Sequence, residues 1–420
     1  MRIKQIILGL AASIAFTLST SEAFAQGSPY NLLGFGEPVL TRHARIEGLG
    51  GTGVGLAEGR IINDMNPAAW SWLTRARLET SFRFDRTSTE FGNATAVGND
   101  FRFNGLNFGS TIWNDYKASI ALGFAPLTNA SHELAQTDTF GTRKYFSEGG
   151  VSLGYIGGSI MPTPGVAIGA RLDLLFGNVR HLSSLGFAEG QSGAESQFQR
   201  DYSINGLRGT FGLMLHGDSL INALDGLTLG VAFSTGSSLT VKRRTTSLVA
   251  LNDTTIEAEA EGFYPGSLAA GISYNFARRY RVLADYHMQD FSQAVLYADD
   301  ASVGDPNLRA MSRISVGFER LPNQNNEFGA GGAFSKLGVR LGAFFNTTPF
   351  APMADGVQEI GGSFGLGIPI TSESILDVAL TVGQRGPSDA ATGPSDIFMR
   401  VGASIGLAER WFVPTRRNDD

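Results

Sequence analysis

Strict alternation of apolar and small or polar residues recurs from about Arg77 to the end of the chain, and the last segment shows it most cleanly. Ile397, Met399, Val401, Ala403, Ile405 and Leu407 alternate with Phe398, Arg400, Gly402, Ser404, Gly406 and Ala408. Successive side chains of an extended strand point to opposite faces, so such a segment offers one apolar face and one small or polar face. Leu376, Val378, Leu380 and Val382 repeat the pattern against Asp377, Ala379, Thr381 and Gly383, as do Val282, Ala284, Tyr286 and Met288 against Leu283, Asp285, His287 and Gln289. A soluble β-sandwich or β-solenoid would alternate too, so the pattern fixes strands and leaves their solvent open.

The first residues narrow the choice. Arg2 and Lys4 precede an apolar run from Ile6 to about Leu18, and Ala23-Phe24-Ala25 stands before Gln26. A positive n-region, a short apolar core and small residues at −3 and −1 predict a secretory signal peptide over residues 1–25. Beyond it every apolar run is interrupted within a few positions, so no stretch of about 18 apolar residues predicts a membrane helix. Only helices and closed barrels pair all their backbone groups inside a bilayer. If the exported chain enters a membrane, it enters as a barrel.

Ionisable residues in mid-strand favour that solution. Arg171 and Asp173 lie among Ile168, Ala170, Leu172 and Leu174, and Arg340 lies between Val339 and Leu341. They suit a polar lumen behind a lipid-facing apolar wall, the inverse of a soluble barrel. Gly123, Gly317, Gly338, Gly342, Gly365, Gly367, Gly402 and Gly406 fall on the non-lipid face, where they would let a plug or ligand approach the wall. The composition agrees: 54 Gly, 29 Phe and 17% charged residues in 420. Absence of Cys removes disulfides, thiolate metal sites and a lipoprotein anchor. A net charge of −6 with interspersed signs gives no footprint for nucleic acid.

Fourteen strand-like segments emerge, at 76–91, 99–112, 115–126, 143–160, 164–183, 199–216, 226–245, 253–277, 279–295, 309–320, 336–346, 356–369, 373–386 and 395–410. The expected architecture is an all-β transmembrane antiparallel barrel over residues 76–412, preceded by a hatch or plug over 26–75 and followed by a periplasmic tail over 413–420. Long connections after His216 and from Leu321 to Lys336 sit awkwardly among the short turns expected at the periplasmic end.

The segment before the first strand lacks alternation. It holds Gly50-Gly51-Thr52-Gly53-Val54-Gly55-Leu56-Ala57 and then Asn66-Pro67-Ala68. In these residues the chain resembles the FadL/TodX family of outer-membrane transporters of hydrophobic compounds, in which a Gly/Ala-rich N-terminal hatch ending in Asn-Pro-Ala precedes a fourteen-stranded barrel. Ser28-Pro29-Tyr30, Gly317-Phe318-Glu319-Arg320, Arg340-Leu341-Gly342-Ala343-Phe344-Phe345-Asn346, Phe364-Gly365-Leu366-Gly367, Gly383-Gln384-Arg385-Gly386 and Arg410-Trp411-Phe412 look like barrels of this broad group from Bacteroidetes-like bacteria. The resemblance implies a hatch or gate at Gly50, Gly51, Gly53, Asn66, Pro67 and Ala68. It transfers no ligand-binding residue, and the tail after Trp411-Phe412 departs from a terminal aromatic.

Other motifs read blandly. Gly48-x-Gly50-x-x-Gly53 satisfies a dinucleotide fingerprint as a string, but no βαβ unit follows it. Asn66-Pro67 reads first as a chain turn, Asn capping and Pro fixing φ. His43, His132, His181, His216 and His287 show no metal-ligand spacing, His287 falls on a lumen face, and no nucleophile elbow stands in context. No catalytic residue, metal or cofactor is expected. Trp113, Tyr116, Phe124, Tyr274, Tyr280, Tyr286 and Trp411 would form interfacial girdles. Lys242-Arg243-Arg244 would meet lipopolysaccharide phosphates, and Leu127, Phe140, Phe187 and Phe350 would capture ligand.

The expectation from these readings is a monomeric outer-membrane channel taking up hydrophobic small molecules such as long-chain fatty acids. Its partners would be membrane lipids, lipopolysaccharide, the apolar ligand and the barrel-assembly machinery. The competing readings are a non-transporting barrel serving as scaffold or partner of an envelope or secretion machine, and a general diffusion porin.

Overall fold

The computed structural model describes residues 27–409 apart from 92–93, 138–140, 188–194, 221–223, 250–251, 278, 299–306, 323–335, 352–355, 372 and 388–392. The proposed signal peptide 1–25, Phe140, Trp411 and the tail 413–420 lie outside the described residues.

The alternating segments pair antiparallel, each with its sequence neighbour, and the last pairs with the first, so the sheet closes into a barrel of fourteen strands. These are β1 (Ala76–Phe91), β2 (Ala94–Trp113), β3 (Ala118–Pro126 with His132–Thr137), β4 (Gly141–Thr163), β5 (Val166–Phe187), β6 (Ser196–His216) and β7 (Leu227–Ser234 with Ser237–Val249). The remainder are β8 (Asn252–Tyr264 with Ser267–Phe276), β9 (Tyr280–Asp290), β10 (Ala310–Arg320), β11 (Gly338–Thr347), β12 (Gln358–Pro369), β13 (Ile375–Gly386) and β14 (Ser395–Glu409). Closure leaves no unpaired edge in lipid.

The faces sort as a membrane requires. Leu172, Ile314, Leu341, Ile360, Val382 and Ile397 are exposed on the outside, whereas Arg171, Asp173, Arg340, Asp377, Glu359 and Arg400 are buried on the inside. Aromatic rings ladder across the outer wall from Phe82 through Phe103 and Phe124 to Phe176, and from Tyr274 through Phe276 and Tyr280 to Phe318. Trp113, Tyr116, Tyr274 and Tyr286 are exposed, as a girdle requires.

Two irregularities shape the wall. Pro265-Gly266 interrupts β8 opposite Thr235-Gly236 in β7, as proline without an N–H must in a ladder. In β3 the break carries Thr128–Asn129 inward, where both are buried and pair antiparallel with Glu37–Pro38 of the N-terminal segment (Glu37 against Asn129, Pro38 against Thr128). The wall thus donates one rung to the chain inside it. The β4–β8 side, whose strands run to 23 residues in β4, stands taller than the β9–β13 side, whose strands run 10 to 12.

A lumen filled by its own N-terminal segment

Residues 28–73 run inside the barrel. They form a short 3-10 turn at Pro29–Leu32, helix α1 (Ala44–Gly48) and a 3-10 turn at Pro67–Trp72, and most of the stretch between is irregular. Irregular backbone away from water needs other partners for its N–H and C=O groups, and the wall supplies them. Asp285 accepts from the Gly53 and Val54 amides at 2.6 and 2.8 Å. Ser363 and Ser404 accept from the Gly50 and Ala44 amides, Ser273 donates to the Gly55 carbonyl, and Arg313 donates to that of Gly50.

The Asn-Pro-Ala motif is a junction between segment and wall. Asn66 caps the 3-10 turn, its Oδ1 accepting from the Ala68 amide at 3.0 Å while Pro67 occupies the first turn position. Its Nδ2 donates to the Val54 carbonyl at 3.0 Å and reaches the Leu213 and Val231 carbonyls of the wall at 3.3 and 3.4 Å. Trp70, fully buried, donates through Nε1 to the Asn63 carbonyl and stacks on Tyr155.

Glycines of the wall are placed where this backbone touches. They face one another across strands in pairs: Gly169 with Gly212, Gly230 with Gly271, and Gly317 with Gly342. A Cβ at Gly271 would stand 2.7 Å from the Gly55 nitrogen, and one at Gly317 would stand 2.8 Å from the Leu49 oxygen. At Gly342 it would strike Gly50, and at Gly169 the Pro67–Ala68 peptide. Gly50 and Gly51 themselves adopt φ of +71° and +90°, a region open to glycine. Of the glycines expected to allow close approach, Gly317, Gly342, Gly365 and Gly402 touch the segment, whereas Gly123, Gly338, Gly367 and Gly406 face wall side chains.

Charge locks the two parts together. Glu319, wholly buried, receives Arg45 of α1 at 2.9 Å, Arg340 at 2.8 Å and Arg281 at 3.2 Å. Glu58 bridges Arg45 and Arg281 at 3.1 and 3.4 Å, and Arg340 also binds Asp377 at 2.6 Å. Glu37 is gripped by Arg385 and Arg400, which share Glu359 at 2.8 and 2.9 Å. Arg42 pairs with Asp64, and Arg171 and Arg208 converge on Asp173 at 2.8 Å each. Burial alone would push the Glu37 and Glu58 carboxyls up. The guanidiniums beside them outweigh it and hold both below the ordinary carboxylate range. Burial without a close counter-ion raises Glu47 instead.

Beyond these networks the lumen is closed by an apolar core. Tyr30 and Phe35 of the segment pack with Leu127, Tyr202, Tyr264, Phe291, Leu308 and Phe350. Leu127 and Phe350 are therefore buried, not poised to capture a ligand, while Phe187 stays exposed. Among the described residues, lumenal cavities enclose about 90, 30 and 20 Å³, and charged groups such as Asp285, Arg313 and Glu47 share their lining with apolar residues such as Val54, Leu127 and Phe344. The basic run also divides by strand parity: Lys242 and Arg244 pair outward with Glu259 and Glu257, and Arg243 lies over the Tyr297 ring. Among the described residues no cluster of His, Cys, Asp and Glu is arranged to hold a metal.

The alternation exposed Arg171, Asp173 and Arg340 as lumenal and set Arg400 on the polar face of its strand, but it did not single out Arg45, Glu58, Arg281, Glu319 and Glu359. Mid-strand charge on the inward parity was the available signal for those in the wall. For Arg45 and Glu58 no periodicity exists to read.

This fold and this filled lumen define an outer-membrane β-barrel occluded by its own N-terminal segment. The chain belongs to the BamG family, whose model matches residues 2–418. No match is found among curated proteins. Solved structures share the fold at low identity. The Ralstonia pickettii toluene transporter TbuX aligns at 16% identity and TM-score 0.59, over 90% of this chain and 99% of that one. The P. putida toluene transporter TodX aligns at 16% and 0.58 over 90% and 100%, and a Pseudomonas aeruginosa FadL homologue at 12% and 0.60 over 88% and 98%. The resemblance to FadL/TodX barrels thus holds at the level of architecture.

Proposed function

We propose that this barrel serves the outer membrane as a closed structural partner, a component of the machinery that assembles outer-membrane proteins, rather than as an open conduit. The observation that carries the reading is the filled lumen. Ligand pockets for small molecules run to ~300–1,000 Å³ and are mostly apolar, whereas the lumenal cavity found among the described residues beside Arg42, Asp64 and Asp285 reaches only about 90 Å³. Buried ion pairs contribute little net stability but penalise every misaligned arrangement, so the networks at Glu319 and Glu359 favour one seating of residues 28–73. Gly50, Gly51, Gly53, Asn66, Pro67 and Ala68 then serve as keying positions, with any gating role confined to the same contacts. The short motifs of the C-terminal third suit a Bacteroidetes-type envelope.

A second reading, uptake of hydrophobic compounds such as long-chain fatty acids, is favoured by the shared fold and by the inward break in β3 beside the apolar cluster of Tyr30, Phe35 and Leu127. The two separate experimentally. A tagged full-length chain, extracted in mild detergent and weighed intact by native mass spectrometry, is expected in a stoichiometric complex with barrel-assembly proteins. A lone barrel that conducts toluene or fatty acid into liposomes would overturn the proposal in favour of uptake.

A further inference from the structure

On the lipid face near the turn 114–117 the wall is hollowed into an apolar groove of about 530 Å³. Its sides are Ile112, Ile120, Ile160, Ile168 and Phe211, and Gly158 and Ala170, with little side-chain volume, keep its floor low. Gly169 and Gly212 also line it, and on their inner side the same two residues seat the peptide from Asn66 to Ala68. At this point the barrel is one backbone thick, with the N-terminal segment inside and the groove outside. The groove begins within a few residues of the turns at 114–117 and 164–165, the end that a barrel directs to the periplasm.

We infer that this groove holds an acyl chain of an anionic phospholipid from the periplasmic leaflet. The wall beside it supplies what such a molecule needs at the other end. Trp113 and Tyr116, both exposed, pack edge to face at 4.8 Å between ring centroids, as interfacial aromatics do at headgroup depth. The Tyr116 carbonyl accepts from the Met161 amide at 2.8 Å, which fixes this corner against β4 beside Ile160. Lys117 follows Tyr116, is exposed, and directly precedes Ala118 of the groove lining. The nearby anion, Asp115, accepts from the Trp113 indole at 3.3 Å. A cation at the level of lipid phosphates attracts an anionic headgroup, and an apolar hollow of this size accepts a chain rather than water.

The test uses the full-length barrel, delipidated in detergent and titrated with phosphatidylglycerol or phosphatidylethanolamine under native mass spectrometry. One phosphatidylglycerol should bind ahead of further lipids and in preference to phosphatidylethanolamine. Ala170→Leu, which fills the groove from the lipid side without reaching the segment within, should lower that first occupancy at least fivefold. Lys117→Glu should abolish the preference for phosphatidylglycerol while leaving chain binding. Equal first occupancy in wild type and Ala170→Leu, or no headgroup preference in the wild type, would overturn the inference. So would a photo-cross-linker at Ile120 that captures a polypeptide instead of lipid in native membranes, since it would mark a protein interface.

Discussion

At the residue scale the molecule depends on side chains that serve two parts of the fold at once. Asn66 caps a turn with one end of its amide and ties the segment to wall carbonyls with the other. Asn66→Ala should therefore destabilise the barrel by about 1–3 kcal/mol, the cost of leaving buried polar groups unpaired, read as a lowered midpoint in denaturant. Gly342 faces Gly50 with no room for a Cβ, whereas a Cβ at Gly362 would meet only the Gly342 oxygen at 3.8 Å. Gly342→Val should displace the segment and make residues around Gly50 sensitive to protease, and Gly362→Ala should leave them protected. Equal protection in both variants would mean that the glycines do not seat the segment.

Protonation acts at the same scale. The Glu37 and Glu58 carboxyls titrate below their ordinary range in the folded barrel. The stabilisation they bring is thus complete above that range and fades as pH falls through it. Protection factors of amides in residues 37–58, corrected for the intrinsic pH dependence of exchange, should be lower below about pH 4 than at pH 7. Protection that instead falls toward neutral pH would reverse the sign of the linkage.

At the element scale the barrel was legible because alternation acts strand by strand and needs no long-range information. All fourteen segments read from the pattern occur as strands, most within a few residues of their limits. The break in β3 was not legible. Leu127 to Ser131 reads as a loop, and nothing in it says that Thr128 and Asn129 turn inward to pair with residues some ninety positions earlier. The long connection after His216 also departs from the short-turn rule, and it holds a 3-10 turn at Gly217–Ser219 whose Asp218 accepts from the Gly226 amide. Since the chain has no Cys, the paired rung can be tested directly. In Pro38→Cys with Thr128→Cys, oxidation should cross-link the segment to the wall in folded protein, because paired Cα atoms of adjacent strands lie within disulfide reach. Failure to cross-link would place the segment elsewhere.

At the scale of the whole molecule, a closed barrel has been filled from within. The Gly-rich stretch and the Asn-Pro-Ala motif announced a hatch in the sequence. How it is seated depends on contacts between residues as distant as Arg45 and Glu319 or Glu37 and Arg400, which one-dimensional patterns do not encode. Single-channel conductance in planar bilayers, comparing the full barrel with a variant lacking residues 28–73, tests the filled lumen most directly. No conductance above the bare membrane is expected for the full barrel, and a stable open pore for the deletion. Steady conductance through the full barrel would contradict a lumen sealed by its own segment.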